Sequence, residues 1–140
     1  MQVREVMTKR PDYCPADASI RQVAERMRKD NSGFEPLVEG DRIVGTVTDR
    51  DLTVRALAEG KSPDDKASSI ASSQVLYAFE DQDVNEVLRN MQEQHVQRLV
   101  VLNNQNDKSL VGIVTLGDIA DRCEDDQMAR EIANCSKHYH

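Results

Sequence analysis

The apolar positions of this 140-residue chain follow two alternating periods. In "SIRQVAERMRKD", Ile20, Val23, Ala24 and Met27 recur at i, i+3, i+4 and i+7, which predicts a helix with one buried face. "DVNEVLRNMQEQ" repeats the pattern with Val84, Val87, Leu88 and Met91. Both runs open on a capping-box signature, Ser19 with Gln22 and Asp83 with Glu86. Two short strands are predicted to follow each helix. They are residues 34–38 and Arg42–Thr48 around the turn "EGDR", then Arg98–Leu102 and Leu110–Thr115. A short extended piece precedes each helix, near 11–14 and 74–78. A second helix is predicted to start near Asp49 or Asp51, and again near Gly117 or Asp118. The final stretch, "EDDQMAREIANCSKHYH", predicts one more short helix with a frayed end.

The pattern is therefore a duplication. A shift of 64 residues lays Val6 on Ile70, Thr8 on Ser72, Tyr13 on Tyr77, Ile20 on Val84 and Met27 on Met91. Past the hairpin the shift becomes 67, because "VEGDRIVG" lengthens to "LNNQNDKSLVG"; a hairpin loop absorbs an insertion at little cost. Each copy reads strand, helix, strand, strand, helix, an α+β unit. The boundaries read as 1–58 for the first copy, 59–67 for a linker, 68–123 for the second copy and 124–140 for the terminal helix and tail. One such unit leaves a sheet face uncovered. Two copies related by a pseudo-two-fold can bury those faces against each other, at ~25 cal/mol per Å² of apolar surface.

One strand-to-helix corner is spelled twice, "GTVTDRD" at 45–51 and "GIVTLGD" at 112–118. Each places a threonine three residues before an aspartate. A carboxylate accepts two hydrogen bonds from a vicinal diol, and a threonine hydroxyl can bond a ribose or phosphate oxygen. The spacing suits a ribose-phosphate. It equally suits an ordinary helix N-cap, and duplication alone does not separate the two, since duplicated structure duplicates its caps.

"VREVMTKRP", "SGFEPLVEGDRIVGTVTDRDL" and "HVQRLVVL…LVGIVTLGDI" give each half a resemblance to the CBS motif, named after cystathionine β-synthase. The pair resembles a Bateman module and spans roughly residues 2–122. It looks most like the small stand-alone bacterial proteins built from one such pair. The resemblance implies two repeats of β-α-β-β-α packed through their sheets. It also implies adenosyl ligands (AMP, ADP, ATP, NAD or S-adenosylmethionine) in clefts between them, and a regulatory role answered by a protein partner. Carried over, one cleft would use Thr46, Thr48, Arg50 and Asp51 with Ser73, Val75, Val96 and Arg98. The other would use Ile113, Thr115 and Asp118 with Thr8, Pro11, Tyr13, Gly33 and Phe34. Arg50 and Arg98 would meet phosphate in the first. The resemblance further implies a homodimer paired through helices. The chain departs from the family pattern at Glu35, which is acidic, at Val100, which replaces the proline kept at Pro36, and in "IASSQVLYAF", which lacks Met-Thr and Pro.

Composition narrows the alternatives. A net charge of −7 argues against a nucleic-acid partner, which needs an extended basic surface. No apolar run reaches the ~20 residues that span a bilayer, and the N-terminus lacks a signal-peptide core, so the expectation is no membrane and a cytoplasmic location. There is no GxSxG, Walker loop or HExxH, and the expectation is a binding protein rather than an enzyme. Cys14, Cys123 and Cys135 lack zinc-finger spacing, and no metal is expected. His95 precedes a strand, and His138 and His140 lie in the tail. Cys14 and Cys135 would form a redox bridge only if the terminal helix folds back over the first strand. The alternative function is a ligand-free interaction or stress protein on the same scaffold, answering to redox state or metal.

Overall fold

The computed structural model describes residues 1–122 and 124–137; Cys123, His138 and His140 lie outside the described residues. The chain forms two compact units. One is Pro11–Val75. The other joins Met1–Arg10 to the described residues from Leu76 onward. Each unit holds a three-stranded sheet, and the architecture is α+β.

In the first unit β1 (Cys14–Pro15) runs parallel to β2 (Phe34–Glu39), which pairs antiparallel with β3 (Arg42–Thr48). Helix α1 (Ile20–Asp30) connects β1 to β2. In the second, β4 (Tyr77–Phe79), α2 (Val84–Gln94), β5 (Arg98–Leu102) and β6 (Leu110–Thr115) repeat this order and these pairings. Gly40 takes the left-handed conformation (φ 68°) that closes the first hairpin. Asp51–Leu57 forms a π-helical segment, a rare geometry, where the second unit has the short α-helix α3 (Leu116–Ala120). Helix α4 (Asp126–Ser136) belongs to the second unit and packs across α2 and α3.

The helix ends explain several sequence signals. Ser19 and Gln22 form the expected reciprocal capping box. Asp83 caps α2 differently. Its carboxylate accepts from the N–H of Asn85 at 2.8 Å, while Glu86 turns to accept from Gln82 Nε2 at 3.2 Å. The expected Asp83–Glu86 box is therefore replaced by a shorter-range cap. Asn31 and His95 are the left-handed residues that end α1 and α2 (φ 50° and 58°). His95 is thus a helix terminator, its N–H donating to the carbonyls of Met91 and Gln92.

The opening segment of each copy belongs to the unit formed by the other copy. The N–H of Ile20, an orphan donor of the first turn of α1, donates to the Asp65 carbonyl at 2.9 Å, and Arg21 N–H donates to Pro63 O at 2.9 Å. The matching donor in α2, Val84 N–H, finds Met1 O at 2.9 Å. The stretch 59–67 meets α1 through these backbone bonds, and Ala67 at its end and Ile70 just after it are core residues of the first unit. Val3 and Val6 play that part in the second.

Both described cysteines are buried thiols, Cys14 in the first core and Cys135 in the second. Burial, helped by Glu131, raises the Cys135 pKa above its ordinary value. The predicted apolar face of α1 holds for Ile20, Val23 and Met27, but Ala24 is exposed. Its counterpart Leu88 is fully buried, because only the second unit has a further helix laid over it.

Candidate functional site

The repeated corner is built the same way in both units. Thr48 Oγ1 accepts from the N–H of Asp51 at 3.1 Å, and Asp51 Oδ2 accepts from the N–H of Thr48 at 2.9 Å. In the second unit Thr115 Oγ1 accepts from Asp118 N–H at 3.1 Å, and Asp118 Oδ2 from Thr115 N–H at 3.0 Å. The cap is thus realised in both copies. It leaves each threonine a hydroxyl proton and each carboxylate its second oxygen, Oδ1, outside the reciprocal pair. Asp51 Oδ1 has Arg55 Nη1 at 3.8 Å and its side chain is 19 % exposed, so a diol could still reach it.

The glycine that opens each corner is needed for space. At Gly112 an added Cβ would lie 2.9 Å from Met7 Sδ and 3.0 Å from Thr8 O; at Gly45 it would lie 3.1 Å from Ser72 O and 3.4 Å from Ala71 Cβ. These contacts arise because the opening segments run along β3 and β6. Thr46 and Ser72 exchange two backbone bonds (3.0 and 2.9 Å), as do Thr8 and Ile113 (2.8 and 2.9 Å). The structure thereby brings Ser73 and Val75 into the unit of Thr46, Thr48, Arg50 and Asp51, and Thr8 into that of Ile113, Thr115 and Asp118.

The remaining candidates fall in the opposite units. Val96 and Arg98 belong to the second unit, where Arg98 stands directly across from Thr115 in the β5–β6 register. Pro11, Tyr13, Gly33 and Phe34 belong to the first, where Phe34 stands across from Thr48. Thr46, Phe34 and Ile113 are buried; Thr8, Pro11, Arg50 and Ser73 are exposed; the others are half-buried. The Arg50 guanidinium makes no hydrogen bond or ion pair among the described residues, and only its backbone N–H is engaged, by Asp49 Oδ1 at 2.9 Å.

Sequence reasoning had Asp49 within the first corner but missed its contact with Gly33. Its N–H donates to Gly33 O at 2.9 Å, and a Cβ on residue 33 would come within 2.5 Å of Asp49 Oδ2. The signal was a paired difference between the copies: Gly33 and Asp49 stand where the second copy has Gln97 and Leu116. Glu35 is likewise buried, at 1 % exposure, in a strand where an alternating pattern puts a carboxylate outward. Among the described residues no group of three or more His, Cys, Asp or Glu could hold a metal ion, and no helix is long and apolar enough to cross a membrane.

Two α+β units, each with a parallel strand feeding an antiparallel hairpin and a Thr–Asp corner at the hairpin's end, make up a duplicated module. The CBS domain pattern matches residues 3–57 and again 67–125, and the chain belongs to the CBS domain family. It is 35 % identical over 120 residues to the uncharacterized protein YlbB of Bacillus subtilis, covering 84 % of this chain and 79 % of that one. It is also similar to the CBS domain protein PAE2072 from Pyrobaculum aerophilum, solved in complex with AMP: TM-score 0.79, 26 % identity, 95 % of this chain and 98 % of that chain. Hypoxic Response Protein I, solved with two coordinated zinc ions, matches with TM-score 0.78 and 29 % identity over 89 % of this chain and 100 % of that chain.

Proposed function

We propose that the chain is a regulatory module that binds an adenosyl ligand, with AMP, ADP or ATP ahead of NAD and S-adenosylmethionine. Two residue sets are proposed, as the family resemblance implies. Thr46, Thr48, Arg50, Asp51, Ser73, Val75, Val96 and Arg98 serve the first. Thr8, Pro11, Tyr13, Gly33, Phe34, Ile113, Thr115 and Asp118 serve the second. The observation that carries the reading is the duplicated corner, a threonine hydroxyl and a half-buried carboxylate oxygen held rigid by a reciprocal cap. The AMP complex of PAE2072 supports the ligand class. The corner N–H groups of Asp51 and Asp118 are already taken by threonine, so phosphate charge falls to side chains, with Arg50 the exposed guanidinium.

Occupancy shifts the stability or orientation of the units, and a protein partner reads that shift; a ligand moves such an equilibrium only through its differential affinity for the states. The chain works as a homodimer, as the family resemblance implies. Calorimetric titration with AMP, ATP, NAD and S-adenosylmethionine tests the ligand. Saturable binding of at least one is expected, and no binding below about millimolar, ~4 kcal/mol of binding free energy, would refute it.

A second reading has one observation in its favour, the zinc ions of Hypoxic Response Protein I. On this reading the scaffold answers to metal or redox state without a nucleotide. Zinc titration beside the nucleotide screen separates the two: a melting temperature moved by zinc and by none of the nucleotides supports the second reading.

A further inference from the structure

The first unit carries an open cavity of about 430 Å³ where β1 and the turn after it meet α1. That volume falls within the roughly 300–1,000 Å³ of small-molecule sites. The strand and turn contribute short, largely apolar side chains, Cys14, Pro15 and Ala18. The helix contributes Arg26, Arg28 and Lys29, opposed by the single carboxylate of Glu25. Arg26 is fixed in place, its Nη1 donating to Asp12 Oδ1 at 2.6 Å and to the Asp12 carbonyl at 3.3 Å. A guanidinium has five N–H donors, so others are left over. The side chains of Arg28 and Lys29 make no hydrogen bond or ion pair among the described residues.

The second unit shows what the scaffold alone requires. The same turn forms there: Gln82 N–H donates to Phe79 O at 3.1 Å, as Ala18 N–H donates to Pro15 O at 3.0 Å. The side chains differ. At the shift of 64, Phe79 stands for Pro15 and Gln82 for Ala18. Gln82 crosses from the turn to the helix, accepting from Phe79 N–H at 2.8 Å and donating to Glu86 of α2 at 3.2 Å. Ala18 has no atoms beyond Cβ to make that crossing. The cations go too: Arg26, Arg28 and Lys29 become Asn90, Gln92 and Glu93. In a chain of net charge −7, three cations gathered at one cavity in one copy alone are not a by-product of the duplicated fold.

We propose that this cavity is a ligand site separate from the two corner sets, with which it shares no residue, and that it takes a small organic anion. The charged head sits among Arg26, Arg28 and Lys29 through charge-assisted hydrogen bonds. The compact apolar body lies against Pro15 and Ala18, where its burial adds affinity that a bare inorganic anion lacks.

Amide NMR titration of the full chain tests this, with phenyl phosphate as the probe and inorganic phosphate as the head alone. Phenyl phosphate is expected to saturate, to shift amides of residues 14–29 rather than those of the two corners, and to bind at least tenfold tighter than phosphate. Arg28→Gln with Lys29→Gln is expected to weaken it about tenfold. Both side chains are exposed, so the fold is expected unchanged. Arg130→Gln with Lys137→Gln removes the same charge from exposed positions at α4 and is expected to leave binding as it was. No saturation by about 10 mM, equal losses in the two double variants, or shifts confined to residues 45–51 and 112–118 would overturn the inference.

Discussion

Replacing Gly112 by alanine puts a methyl group against the opening segment of the chain. The new Cβ would sit 3.0 Å from the Thr8 carbonyl oxygen, which is backbone, and 2.9 Å from Met7 Sδ, which can swing aside. The Thr8 carbonyl cannot retreat without stretching the bond it accepts from Ile113 N–H at 2.9 Å. Overpacking of this kind costs roughly 1–3 kcal/mol, and loosening the bridge adds about 0.5–1.5 kcal/mol. The lower entropy of an unfolded alanine returns about 0.4–1 kcal/mol. The balance is a destabilisation of about 2 kcal/mol, or about 6 °C in melting temperature for a chain of this length. Gly45→Ala, with its nearest contact at 3.1 Å, is expected to cost about half as much, on the same overpacking scale. Urea unfolding followed by circular dichroism measures both. A Gly112→Ala chain as stable as the wild type would show that the opening segment is not held against β6, and the account of the swapped segments would fall with it.

Other outcomes follow from single contacts. Ser19→Ala removes the acceptor for Gln22 N–H and is expected to cost about 1 kcal/mol in denaturant unfolding; an unchanged midpoint would show the cap is idle. The Cys135 thiol has a raised pKa, from burial first and Glu131 second. The unfolded chain therefore loses this proton first, so stability is full below the ordinary thiol pKa and falls as pH rises through the folded value. Cys135→Ala is expected to flatten the alkaline arm of the stability–pH curve, and an unchanged slope would refute the assignment. Arg50→Gln is expected to weaken AMP by about tenfold while leaving adenosine unchanged, since only the phosphate needs the guanidinium; equal losses for both would place Arg50 outside a phosphate site.

Much of the fold was legible because each local signal had one physical solution. The i, i+3, i+4, i+7 stripes could be buried only as helices, and each pair of strand runs was joined by a loop short enough for a hairpin; the observed strands end within a residue of their sequence bounds. What stayed hidden was non-local. Nothing in "AEGKSPDDKA" shows that its end will satisfy the first turn of α1, because the acceptors are backbone carbonyls of Pro63 and Asp65 that any residues would supply. Ala24 matched its face by period, yet its burial depended on whether another helix covered it. At the candidate site the Thr–Asp pairs were readable from spacing, and the alternative of a plain cap proved to be real in both copies. The contact of Asp49 with Gly33 escaped notice because it joins residues that are not neighbours in sequence.

The central claim is that the paired corners receive an adenosyl ligand. Titrating AMP calorimetrically into the full chain and into Asp51→Asn, Asp118→Asn and the double variant tests it most directly. The account predicts saturable binding by the wild type and a loss of about tenfold or more in the double variant, which still folds because the asparagine amide oxygen can accept the same threonine N–H. Undiminished AMP binding by the double variant, or none by the wild type, would contradict it.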